Sequence, residues 1–230
     1  MGNLQSRIQE IQENIKASCA KVDRDVSEVT VVAVTKSVSV QRAEEVVQDG
    51  LIHLGENRAE GLVQKQHHMQ SSDIKWHFIG NIQSRKVREI VENISYLHSL
   101  SRISIAKEIQ KRATQTIDCF VQVNVSGEES KSGISPVDLH SFIMELASFD
   151  KIRIVGLMTM APNTEDEGLI RSVFSEMRVL RDRLAEKNMP HAPCTELSMG
   201  MSNDYSIAIE EGATFLRIGT ALVGAESEGV

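Results

Sequence analysis

Leu4, Ile8, Ile11 and Ile15 recur at helical spacing between Gln, Glu, Asn and Lys, so the chain opens with an amphipathic helix whose stripe covers a larger core. The period then changes. Residues 29–36, VTVVAVTK, form a β-branched run that is too short for a globular helix and apolar on both faces, as a parallel strand covered by helices requires. Ser39 caps the next helix, whose stripe of Val40, Ala43, Val46 and Val47 stops at Gly50. Further strands are predicted at 51–55, 75–80, 95–100, 118–125, 153–160, 195–200 and 214–219, with helical segments between them, the clearest at 169–187. Ser135-Pro136 followed by Asp138 marks another helix start, since proline suits a first turn and an acid there opposes the dipole.

Eight β/α repeats of similar length favour closure into a (β/α)8 barrel of the TIM type, with an additional N-terminal helix, over an open doubly wound sheet. A barrel commonly takes about 250 residues, so residues 1–230 are expected to form one domain with no second domain. No linker, low-complexity tract or repeat divides them.

Composition narrows the function classes. A hydrophobic fraction of 41% with 25% charged residues supports a sizeable core. A net charge of -7 argues against a nucleic-acid binder, which carries a basic face. No apolar run approaches the roughly 20 residues that cross a bilayer, and the N-terminus is too polar for a signal sequence, so a cytoplasmic protein without membrane contact is expected. Cys19, Cys119 and Cys194 are odd in number and far apart, and read as reduced thiols. His67-His68 falls on an exposed helix and no second cluster stands at ligand spacing, so no metal is expected.

In such a barrel, function collects at the C-terminal ends of the strands, and here those ends are polar. Lys36 ends the first strand. An amine following an apolar run is suited to attack a carbonyl as a Schiff-base lysine; the alternative is a lysine that leaves the sheet for solvent. Ser198-Met199-Gly200-Met201-Ser202 and Arg217-Ile218-Gly219-Thr220 end strands seven and eight, where small residues let backbone N–H groups approach a phosphate, although glycines also serve ordinary turns. Arg217 lies in an apolar strand and needs a partner: a protein acid, a ligand phosphate or a pyridine nitrogen. His77, between Trp76 and Phe78, reads either as a hydrogen-bonded core histidine or as a site residue, and His53 and His98 read the same way.

The ordered set AVTK (33–36), GENR (55–58), WHFIGNIQS (76–84), KSG (131–133), GLM (156–158), SMGMSND (198–204) and RIGT (217–220) closely resembles the pyridoxal phosphate homeostasis proteins across almost the whole chain. The resemblance implies an alanine-racemase-like barrel with pyridoxal 5'-phosphate joined as a Schiff base to Lys36, its phosphate held by Ser198, Gly200, Gly219 and Thr220. It implies that Asn57 and His77 line the cofactor and that Arg217 meets either the pyridine nitrogen or the phosphate. It also implies a monomer that holds and releases the cofactor without substantial turnover, with apo-enzymes as the recipients and no catalytic residues. A departure is Arg85-Lys86, where the family usually has Asn-Lys. The other reading is a pyridoxal phosphate-dependent amino-acid racemase, which needs an acid and a base on opposite faces of its substrate. Alanine racemases draw one of these from an additional β domain, and only Tyr96 and Tyr205 offer a phenol here.

Overall fold

Val32 pairs with Arg217 and Ala33 with Ile218, so the first strand lies beside the last and the sheet has no free edge. This computed structural model describes residues 3–128 and 132–224; Lys131 of the KSG segment lies outside the described residues. The eight strands are parallel and ordered as in the chain. They are β1 (Thr30–Val34), β2 (His53–Glu56), β3 (Lys75–Phe78), β4 (Tyr96–Leu100), β5 (Ile117–Gln122), β6 (Ile152–Met158), β7 (Glu196–Ser198) and β8 (Phe215–Ile218). Each falls within or beside a predicted run. The open-sheet alternative is excluded by closure.

The helices outside the barrel are α1 (Leu4–Lys21), α2 (Val40–Gln48), α3 (Ala59–His68), α4 (Val87–Ile90), α5 (Ile103–Arg112), α6 (Leu139–Glu145), α7 (Glu167–Ala185), α8 (Tyr205–Glu210) and α9 (Thr220–Val223). In α1 the stripe Leu4, Ile8, Ile11 and Ile15 is buried, and the helix packs on α8 and α9. Each such side chain contributes about 1.5–3 kcal/mol on full burial. Ser39 caps α2 by accepting from Arg42 N, as the sequence predicts.

Two expectations are corrected. Ser135 does not start a helix at Pro136: its hydroxyl donates to Asp138 Oδ2 at 2.7 Å and accepts from Asp138 N at 3.2 Å, forming a turn that delays α6 to Leu139. The seventh strand ends at Ser198 because Gly200 leaves the extended region, with φ +89°.

The core has two layers. One lies between sheet and helices, and a smaller one, with Val32, Phe120, Val155, Met158 and Phe215, fills the barrel. Aromatic and imidazole rings from β2, β3, β4, β5 and β8 touch one another there. Among the described residues no helix is long and apolar enough to cross a membrane.

Candidate functional site

A cavity of about 460 Å³ opens at the C-terminal ends of the strands, and Lys36, Asn57, Arg217, Gly219 and Thr220 all line it. These are five of the eight residues the sequence nominates. His77, Ser198 and Gly200 are buried beneath rather than exposed to it. The loop 160–164 after β6 and residues 201–204 after β7 complete the wall. The sequence reading did not single out the first of these loops, although Pro162-Asn163 is a turn signal at a strand's functional end.

Lys36 stands in the turn after β1 and is exposed, so the apolar setting expected from its strand does not extend to its side chain. Its footing is buried and charged. Thr35 donates to Glu56 Oε1 at 2.6 Å, and the same oxygen meets Lys65 Nζ of α3 at 3.0 Å. Glu56 and Lys65 are both buried, so the pair ties the ends of β1 and β2 to the flanking helix. Asn57 follows Glu56. Its backbone runs so close to Gly80 that a Cβ at position 80 would sit 2.2 Å from Asn57 O, so only glycine lets the β3 loop pass there.

Arg217 forms the floor. It is 5% exposed, and its guanidinium donates through Nη1 to Ser198 Oγ at 2.5 Å and through Nη2 to Thr159 O at 2.9 Å. Both partners are neutral. Among the described residues it makes no direct ion pair; burial lowers its pKa to about 10, and the charge of Asp204 acts in the opposite direction. Of the partners left open by the sequence, a contacting protein acid is therefore not one. Asp204 itself accepts from Met201 N at 2.5 Å, and burial raises its carboxyl above the usual range.

The two small-residue loops do different work. Gly200 has φ +89° and an added Cβ would lie 2.6 Å from Ala208 Cβ, so this glycine lets the loop pack on α8. Gly219 lines the cavity, has no contact closer than 3.6 Å for an added Cβ, and precedes α9. Ser202 bridges the loops by accepting from Ala221 N at 3.3 Å.

Below Arg217, the histidines read as isolated strand residues form a chain. His98 Nδ1 lies 2.8 Å from Ser198 Oγ, His77 Nδ1 is 2.8 Å from His98 Nε2, and His53 Nδ1 is 2.9 Å from His77 Nε2. Burial holds His77 and His98 well below the ordinary imidazole value; the neighbouring histidines add to this for His77, and Arg217 for His98.

A larger cleft, about 1030 Å³, opens at the opposite mouth, but its arginines are already engaged. Arg153 is bidentate to Asp118, Arg178 meets Glu211 and Arg181 meets Asp182. It offers neither a strand-end amine nor an arginine held by neutral partners alone.

The chain also matches known proteins over most of its length. Residues 7–227 match the family model described as alanine racemase, N-terminal domain. A pyridoxal phosphate homeostasis protein of Aquifex aeolicus is 36% identical, over 96% of this chain and 98% of the relative. The structure of PipY from Synechococcus elongatus with PLP bound superposes with a TM-score of 0.80 at 30% identity, covering 91% of this chain and 100% of that one. An alanine racemase of Clostridium difficile shares the fold alone, at 14% identity and a TM-score of 0.76, and this chain spans 56% of its length.

Proposed function

From the membership of this chain in the pyridoxal phosphate homeostasis proteins, we propose that it holds pyridoxal 5'-phosphate in the C-terminal cavity as a Schiff base on Lys36, and releases it to apo-enzymes without substantial turnover of its own. The observation that carries this reading is one juxtaposition: a strand-end amine, Lys36, shares a cavity with a buried arginine whose contacts are all neutral. That donor set fits a phosphorylated pyridine aldehyde. Bound there, the group supplies a carbonyl carbon for an amine and a ring able to accept electron density.

This chain's own residues do the holding. Lys36 presents the nucleophilic amine from a turn anchored by the buried Thr35–Glu56–Lys65 contacts. Gly219 and Thr220, with Ser202 and Asn203 across from them, form the small-residue rim suited to a phosphate. Arg217, two residues before Gly219 on the same chain segment, would hold either the pyridine nitrogen or the phosphate. Asn57 lines the wall on the other side of Lys36, since β1 lies between β2 and β8. Ser198 and His77 act from beneath, through Arg217, and Gly200 acts by packing the loop. The protein is taken to act as a monomer, and three free buried cysteines suit a reducing cytosol.

The racemase reading lacks a phenol at the cavity to serve as its second proton-transfer group. Tyr205 Oη accepts from Asn14 of α1 at 2.9 Å, and Tyr96 stacks on His77 with ring centroids 4.4 Å apart inside the barrel. Neither phenol lines the cavity. Loss of a positioned acid or base costs on the order of 10² to 10⁴ in rate. The test incubates the loaded protein with L- and D-amino acids, following chirality and Cα deuterium exchange, beside transfer of cofactor to an apo-enzyme. Transfer without turnover is expected; racemisation on the order of 1 to 10³ per second, lost in Lys36→Ala, would overturn the reading.

A further inference from the structure

Arg217 has no acceptor atom, so at Ser198 Oγ it must be the donor, and the serine's own proton must go elsewhere. The other contact of that oxygen is His98 Nδ1. His98 therefore accepts at Nδ1 and carries its proton on Nε2, which faces His77 Nδ1. The same constraint passes on: His77 is protonated at Nε2 and donates to His53 Nδ1. One polarity thus runs from the cavity floor through the barrel to the half-buried His53.

We infer that His98, His77 and His53 are positioning residues, a neutral relay of single polarity that fixes Ser198 as an acceptor and thereby holds the Arg217 guanidinium at the cavity floor. The role of Arg217 towards a cofactor rests on the function proposed above; the relay itself does not. With the opposite polarity, Arg217 and His98 would both donate into Ser198 Oγ, leaving the serine proton without an acceptor among these partners, an expensive state in a buried site. The rings are also clamped against rotation. Tyr96 stacks on His77 at 6° between planes, and Phe120 stacks on His98 at 29° with centroids 4.5 Å apart. Both imidazoles are fully buried, and burial disfavours the doubly protonated form that would break the order.

The test is long-range 1H–15N NMR on cofactor-free protein, with His53, His77 and His98 assigned by single substitutions. Expected are three neutral imidazoles, each protonated at Nε2, and distinct, slowly exchanging Nη signals for Arg217. A proton on Nδ1 of His98 or His77 overturns the inference whether or not the protein binds pyridoxal phosphate, and so does rapid averaging of the Arg217 signals in the wild type. His98→Leu removes the acceptor for Ser198, whereas His98→Asn keeps an oxygen near the Nδ1 position. The Leu variant should average the Arg217 Nη signals and weaken pyridoxal phosphate binding roughly tenfold or more, with substantial rescue in the Asn variant. Equal Arg217 signals and equal affinities in the two variants would overturn it. If the Leu variant fails to fold, the wild-type tautomers still decide.

Discussion

Thr35 donates its hydroxyl proton to Glu56 at 2.6 Å, out of contact with solvent, one residue before the amine on which the proposed site depends. The only charge touching that carboxylate among the described residues is Lys65, 3.0 Å away and equally buried. The position of Lys36 thus rests on a buried ion pair between a strand end and a helix.

Removing one partner should therefore be costly. Lys65→Met leaves Glu56 charged, buried and uncompensated, and is expected to lose about 3–5 kcal/mol in chemical denaturation. Replacing both partners, Glu56→Leu with Lys65→Met, should recover a good part of that loss. A single variant as stable as the wild type would contradict the burial seen for this pair.

Gly200, packed beneath the cavity, and Gly219, on its rim, should separate folding from binding. Gly200→Ala places a Cβ 2.6 Å from Ala208 at φ +89°, so it should cost about 1–3 kcal/mol of stability. Gly219→Ala meets only ordinary contacts and should fold normally. A larger residue at 219, such as Gly219→Val, should weaken pyridoxal 5'-phosphate far more than unphosphorylated pyridoxal. Equal losses for both ligands, measured by fluorescence titration, would show that the rim does not read the phosphate.

The sequence made the barrel legible and the relay illegible, for one physical reason. Strand runs and caps are local signals, and all eight strands stand at or beside their predicted runs. His53, His77 and His98 are each unremarkable locally; only the sheet register, with His77 beside Gly55 and Tyr96, brings them together. Ser198 was legible as a small residue in a loop suited to phosphate, but not as the acceptor beneath Arg217, because that contact joins β7 to β8, 19 residues on in the chain. The exposure of Lys36 matches one of the two readings its strand allows, a lysine that leaves the sheet for solvent, because the apolar run ends in a turn. Glu56 gave no hint of Lys65, since the pairing depends on how α3 packs on β2.

Stability should fall as the medium is acidified through the histidine range. His77 and His98 are held neutral well below the ordinary value of 6.5, whereas the unfolded chain takes up protons near it. Below that value the unfolded state binds more protons, so stability is present at neutral pH and is lost as pH drops towards the folded-state values. The limiting slope is about 1.4 kcal/mol per pH unit for each histidine. Urea denaturation between pH 7.5 and 5.5, above the carboxylate range, should show this slope, and His98→Asn should flatten it. A flat wild-type profile would mean that these imidazoles titrate alike in both states.

The most direct measurement is borohydride reduction of the protein loaded with pyridoxal 5'-phosphate, followed by peptide mapping. Only an imine is trapped covalently. The account predicts a single pyridoxyl group on Lys36 and loss of the visible absorbance band in a folded Lys36→Ala variant. Label on Lys65, Lys86 or Lys131 in place of Lys36, or tight binding with no reducible linkage, would contradict it.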